Sequence, residues 1–306
     1  MSGPKLMSMR EAVARFVPDG ASVCLGTALE ALIPFAAGHE LIRQRRRDLT
    51  LIGPISDMLF DQLVGAGCAR RIIAAWVGNV SAGLGHNFRR AVEQGVPVPL
   101  EVQDHSNLTI AWALQAGALG APYLPTRSLL GTDLLKSNPA FKQATDPWSG
   151  TPLVLVPALV PDVSIIHVQR ADAEGRAHVW GTLGVTREAA LAAKRVLIVA
   201  EEIWPRERIL SDPGLVLVPE IKVAGVVHEP YGAFPSPVQG RYGRHHDFYH
   251  RFHEESRTVE GNHEWLERWV YGVGDWPGFL ERLGKQALDA IRITRSLPSE
   301  PLDYGA

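Results

Sequence analysis

Ser22-Val23-Cys24-Leu25-Gly26, followed by residues 29–45 and then 49–53, is the stretch on which the fold turns. The first piece is an apolar run closed by a glycine, the second spaces its apolar residues as a helix does, and the third is apolar again. Strand, helix and strand within about 30 residues is the length of one parallel crossover unit. Upstream, Ser8-Met9-Arg10-Glu11 is a capping box that starts a short amphipathic helix, and Asp19-Gly20 turns the chain into the first strand. Downstream the alternation continues: 71–77 is strand-like, 88–94 helix-like, 99–102 strand-like and 107–117 helix-like, and 153–156, 164–169 and 195–200 read as buried strands. This predicts an α/β fold, an open, mostly parallel sheet with helices on both faces. Such sheets bind ligands beyond the carboxyl ends of their strands, which directs attention to Gly26, Gly78 and the turn Asp104-His105-Ser106-Asn107. Residues 1–244 are expected to form this domain. Residues 245–306, charged, aromatic and helix-like, are expected to form a helical extension packed on it or on a partner chain.

The composition narrows the class. With 306 residues, 46% hydrophobic and 21% charged, the chain has the balance of a folded globular protein with one large domain or two modest ones. Lys and Arg total 31 against 33 for Asp and Glu, a formal charge of -2, which argues against a nucleic-acid partner. Two cysteines, Cys24 and Cys68, fit neither a disulfide framework nor a zinc site, and point to a reducing cytoplasm. The first 17 residues lack the apolar core of a signal peptide. The most apolar stretch, 153–163, is cut by Pro157 and Pro161 and falls short of the roughly 20 residues of a membrane helix.

Several segments admit two readings. The glycine-rich loop Gly78 to Gly85 could present backbone N–H groups to an anion or be an ordinary turn. His246-Asp247-Phe248-Tyr249-His250 has the spacing of a zinc-peptidase helix but Asp in place of Glu and no third ligand in the usual place; a solvated or interfacial helix is the other reading, and no metal is expected. Glu201-Glu202, directly after an apolar strand, could be an acid–base pair or a structural cap. Arg127, in a loop leading to Gly131-Thr132-Asp133, could clamp a carboxylate or form a structural ion pair.

Asp19-Gly20-x-x-Val23-Cys24-Leu25-Gly26-Thr27-Ala28, with Pro34 following, resembles the N-terminal signature of the family I coenzyme A transferases. Thr27, Ala28 and Leu32 stand where the family pattern has Gly, Phe and Gly. Trp76-Val77-Gly78-Asn79, the run Leu114 to Pro122, and Ala200-Glu201-Glu202-Ile203 follow in the family's order. His167 to Asp172, Val179-Trp180-Gly181 and Pro230-Tyr231-Gly232-Ala233-Phe234-Pro235-Ser236 are similar to the alpha subunits of glutaconate CoA-transferases. The resemblance spans Ser8 to about Arg282 and implies the same open α/β fold, paired with a homologous beta subunit in an alpha–beta hetero-oligomer.

It further implies transfer of CoA from an acyl-CoA to a free mono- or dicarboxylic acid. The thioester is a substrate, and no cofactor is permanently bound. The family's nucleophilic glutamate sits on the beta subunit in an S-E-N-G or E-S-G context; the nearest approach here, Glu260-Gly261-Asn262, lacks that spacing, so the chain alone is expected to be inactive. Asn107, where related alpha chains carry Gln, and Ser106 are the leading catalytic candidates, as an amide and a hydroxyl at a helix N-terminus. Gly26 and Thr27 are expected at the oxyanion, Gly78 and Asn79 in the acyl pocket, and Arg127 at the substrate's distal carboxylate. Through the resemblance Glu201 and Glu202 become structural. The departures at Thr27, Ala28, Leu32 and Asn107 keep open an acyl-CoA decarboxylase or ring-opening hydrolase on the same scaffold. A non-catalytic effector-binding protein is the more distant alternative, and no basic helix-turn-helix segment accompanies it.

Overall fold

A computed structural model of the chain describes residues 5–294; the end of the expected extension, residues 295–306, lies outside the described residues. Seven strands form the main sheet: β1 (Ser22–Cys24), β2 (Leu49–Ile55), β3 (Ala69–Trp76), β4 (Glu101–Asp104), β5 (Val163–Val168), β6 (Arg195–Ala200) and β7 (Val223–His228). Their order is β7-β6-β5-β1-β2-β3-β4, and every neighbouring pair is parallel. Val23 of β1 faces Val163 on one side and Leu51 on the other.

A sheet covered on both faces needs apolar side chains in both directions, and the strands supply them at period two. Val23, Leu51, Ile72, Ile165, Leu197 and Val199 enter one hydrophobic cluster, with the helices Met9–Phe16, Phe35–Arg43 and Asp57–Gly65. Their neighbours Cys24, Ile52 and Ile73 enter another, under the helices Asn107–Leu119 and Thr186–Ala192. Phe248, Phe252, Trp265, Trp269, Trp276 and Phe279, from the helices His246–Glu255, Val259–Trp269 and Trp276–Leu283, lie in the first cluster beside Phe35 and Phe60. The aromatic ridge of the chain's last third is thus part of the sheet's own core.

Three details differ from the sequence reading. Helix begins at Phe35, not at 29; residues 26–33 form an irregular turn in which Leu29 and Leu32 hold φ of 64° and 55°, and Pro34 precedes the first helical residue. The run 153–156 belongs to a separate antiparallel sheet, in which Pro152–Pro157 lies between Tyr123–Thr126 and Lys142–Thr145. Leu153 to Val156 reads as uniformly apolar, yet only Val154 and Val156 are buried, against Ala113 of the helix Asn107–Leu119. The strand β7, which opens Val223-Ala224-Gly225, has no counterpart among the strands that the sequence announces.

Candidate active site

The strand order reverses between β1 and β5: the chain runs outward from β1 through β2 and β3 to β4, then returns to β5 and runs outward the other way. Loops leaving such neighbours diverge and open a crevice at their carboxyl ends. Gly26 sits there with φ +61°, and a Cβ built on it would lie 2.4 Å from the Ser56 hydroxyl, so only glycine fits this approach. Ser56 in turn donates to the Leu25 carbonyl at 2.9 Å. On the β5 side Thr27 accepts the Val185 N–H at 2.8 Å, and its hydroxyl meets that of Thr186 at 2.9 Å. A Cβ on Gly184 would stand 2.3 Å from the Thr27 carbonyl oxygen. The hydroxyl and carbonyl of Thr27 are therefore committed, whereas the backbone N–H groups of Gly26 and Thr27 have no acceptor among the described residues.

The strand-end acids are held by the chain itself. Asp57 (φ 50°) is fully buried against Arg244, and its Oδ1 accepts the N–H groups of Met58 and Val80 at 2.9 Å. The Arg244 guanidinium lies 3.9 Å from the Tyr249 ring and donates from Nε to Ser81 at 3.0 Å. Glu201 accepts from Tyr242 and meets His167, both at 2.7 Å, and takes the Tyr231 N–H at 2.9 Å. Glu202 pairs with Arg241 and accepts the Trp204 indole N–H at 2.8 Å. Glu30, at the turn between Leu29 and Leu32, keeps a buried carboxyl oxygen without a hydrogen bond among the described residues; burial raises its pKa and Arg244, 3.9 Å away, opposes the rise.

The remaining candidates separate. Ser106 caps the helix Asn107–Leu119, accepting the Thr109 N–H at 3.1 Å, while Thr109 reciprocates at 2.9 Å, a full capping box. Asn107, in the first helical position, is exposed and makes no side-chain hydrogen bond among the described residues. Asn79 is buried with both ends of its amide engaged, donating to the Tyr249 carbonyl at 2.8 Å and accepting the Ser81 N–H at 3.1 Å. Gly78 pairs with Leu84 in a small hairpin, where a Cβ would strike the Trp76 ring. Arg127 lies exposed directly after the strand Tyr123–Thr126 of the antiparallel sheet. Gly26 and Thr27 thus lie buried at the end of β1, Asn79 braces the helix His246–Glu255, and the Asn107 side chain is exposed. Sequence reasoning missed Asp57 and Arg244, which are 187 positions apart and carry no shared motif.

Among the described residues no cluster of three or more His, Cys, Asp or Glu is arranged to hold a metal ion, and no helix is long and apolar enough to cross a membrane.

The family model of coenzyme A transferase matches residues 6–229. One of the subunits of the 3-oxoadipate CoA-transferase of Pseudomonas knackmussii is 40% identical over 92% of this chain and 99% of its own length. The corresponding component of the glutaconate CoA-transferase of Acidaminococcus fermentans is 30% identical, covering 96% of each chain. The crystal structure of that glutaconate enzyme superposes with a TM-score of 0.90 at 30% identity, over 96% of this chain and 97% of the other. The decarboxylase AibA/AibB superposes at 0.74 with 29% identity, over 88% of this chain and all of the other. The chain belongs to the coenzyme A transferase family. Within it, this is a chain of the same type as those components of the 3-oxoadipate and glutaconate enzymes, the alpha type.

Proposed function

We propose that the protein is the alpha subunit of a two-component CoA-transferase that moves CoA from an acyl-CoA to a free dicarboxylic acid, with a homologous beta subunit supplying the nucleophilic glutamate. One observation carries the division of labour: three acids at the strand ends, Asp57, Glu201 and Glu202, are each tied to an Arg or to a His–Tyr pair within this chain, and burial favours the protonated, non-nucleophilic form of a fourth, Glu229. A carboxylate so held is a poor nucleophile, so the attacking group comes from elsewhere. The dicarboxylic nature of the acceptor rests on the relatives' names, 3-oxoadipate and glutaconate.

The partner's carboxylate attacks the thioester carbonyl, breaking the carbon–sulfur bond and releasing CoA thiolate with a mixed anhydride. The thiolate then attacks the enzyme's carbonyl of that anhydride, leaving an enzyme–CoA thioester and free acid; the acceptor acid reverses both steps. Each addition puts negative charge on an oxygen, and the unpaired N–H groups of Gly26 and Thr27, held rigid by Ser56, Thr186 and Gly184, suit that charge. Asn107 and Ser106 lie at a second strand end, where the free Asn107 amide orients the acyl group without adding charge. Arg127, from its exposed position, meets a distal carboxylate only where the partner's loops close over it. The chain alone is inactive, and it works in the cytoplasm, where its two buried thiols suit reducing conditions.

The test is co-expression with the homologous partner, incubation with a panel of acyl-CoAs and intact mass measurement of both chains. A CoA-sized adduct on the partner, discharged by a free dicarboxylic acid, is the expected result. An adduct on this chain, or turnover by this chain alone, overturns the reading.

A further inference from the structure

Beyond the Gly26 crevice, the carboxyl ends of β5 and β6 carry a layered group of side chains that no step of the transfer uses. Arg170, in the hairpin Arg170–Ala171 directly after β5, has its guanidinium carbon 3.8 Å from the ring centre of Trp204 and 4.6 Å from that of Trp180. Arg208 places its own 3.5 Å from the Trp204 ring. Both indoles are held in place: Trp204 donates Nε1–H to Glu202 at 2.8 Å and its backbone N–H to Ala171, and Trp180 is bracketed by Gln169, which donates to its carbonyl at 3.0 Å. Neither Arg170 nor Arg208 has a carboxylate within salt-bridge distance among the described residues, and Arg170 Nε is buried with no hydrogen-bond partner. Two acids act on Arg170 from a distance, Glu202 and Asp212, and Glu202 is already paired with Arg241.

A guanidinium lying against an aromatic face is fixed in orientation by that face, and its N–H edges point outward in its plane. Such edges match a phosphate, which takes two of them at once. The group also joins the crevice: Trp180 leads through Gly181 to Gly184, which is packed on the Thr27 carbonyl. We infer that Arg170, Trp204 and Arg208 form a phosphate-binding platform for the nucleotide end of the acyl-CoA, whose thioester end lies at the Gly26 turn. The inference rests on the CoA-transferase reading for the identity of the phosphate, and on the stacked guanidinium groups alone for its existence.

The test compares acyl-CoA with the corresponding acyl-pantetheine, which has the same thioester and no nucleotide, using the two-component enzyme. Arg170→Gln, Arg208→Gln and the double variant are expected to raise KM for acyl-CoA, about tenfold for each lost charged contact, with kcat and the acyl-pantetheine KM unchanged. Equal losses with both thioesters, or no change with either, overturn the proposal. Arg208 stands on the exposed helix Arg206–Leu210, so its variant remains informative should Arg170→Gln fail to fold. A second readout is calorimetric titration of the complex with adenosine 3′,5′-bisphosphate and with inorganic pyrophosphate. Bisphosphate binding lost in the double variant supports the platform even where the wild-type enzyme transfers no CoA, which would sink the function and not the site. Pyrophosphate binding lost in that variant, with bisphosphate binding and acyl-CoA KM unmoved, overturns the CoA assignment in favour of a free phosphate.

Discussion

Glu201 and His167 meet at 2.7 Å, Oε1 to Nε2, across the ends of two adjacent parallel strands. The same oxygen accepts the Tyr242 hydroxyl, and Tyr242 stacks on Tyr231, whose backbone N–H donates to the other oxygen. A carboxylate with its acceptor sites filled from three directions anchors the turn 229–242 to the sheet. Glu201→Ala leaves a buried His and Tyr without their partner and is expected to cost about 3 kcal/mol in chemical denaturation. Glu202→Gln, which loses a partly exposed pair, is expected to cost under about 1 kcal/mol. Complexes that fold should keep their kcat in both variants; loss of turnover at unchanged stability would return this pair to the reaction.

Gly26→Ala places a Cβ 2.4 Å from the Ser56 hydroxyl and forces a side chain into φ +61°. A destabilisation of about 1–3 kcal/mol is expected from the backbone conformation alone. Adding Ser56→Ala removes the hydroxyl contact and leaves the Ser56 Cβ and Cα at 2.8 and 2.9 Å, so the double variant should regain only a small part of the loss, a double-mutant cycle readable by thermal melting.

Ser106 and Asn107 are neighbours with opposite expected signatures. Ser106→Ala removes a cap and should lower stability by about 1 kcal/mol. Asn107→Ala touches no side-chain hydrogen bond among the described residues and should leave the melting temperature unchanged while lowering kcat of the two-component enzyme about tenfold or more. A stability loss with full activity for Asn107→Ala would remove it from the site.

Burial pushes the His39 imidazole down to about 3, with Arg43 adding to the shift and the Gln62 amide opposing it. An unfolded histidine titrates near 6.5, so between 6.5 and about 3 the unfolded chain binds the extra proton and stability falls as the pH falls. Asp61, pushed up to about 6, and Glu229, pushed up to about 7, work in the other direction, since there the folded state holds the proton. Denaturation at a series of pH values should therefore show a shallower acid-side loss in His39→Gln than in the wild type. Parallel slopes would contradict the assignment.

Cys24 and Cys68 are buried, and burial pushes both thiols up to about 12. At a pH of about 8 neither carries appreciable thiolate, the form that alkylates. Iodoacetamide should leave the native mass unchanged and label both cysteines after unfolding; labelling of the native chain would place a thiol at an open surface.

Much of the architecture is legible in the residues because parallel strands buried on both faces are written as continuous apolar runs. Ser22 to Leu25 and 195–200 identify themselves that way, and 164–169 does so through Ile165, Ile166 and Val168. The run 153–156 shows the limit: Leu-Val-Leu-Val looks the same whether one face or both are covered, and only the packing of Val154 and Val156 against Ala113 decides. At the site, Gly26 is legible because a strand-ending glycine is a local signal. The hold of Arg244 on Asp57 is not, because a pair formed across 187 positions leaves no spacing to read. Asn79 misleads for a related reason: a polar residue in a glycine-rich loop looks like a ligand donor until the helix that it braces is in place.

The excursion that carries the chain from the edge strand β4 back to the central strand β5 has a hydrophobic cluster of its own, built on Leu129, Phe141, Val154 and Val156. Its outermost turn, Asp146 to Gly150, carries Trp148 with 92% of its surface in water, far from any register that the main sheet must keep. Lengthening, shortening or replacing that turn alters no strand pairing of β1 to β7. It is the natural graft point of the molecule, where descendants of this architecture can vary what they touch and where a reporter peptide can be inserted while the turn at Gly26 keeps its shape.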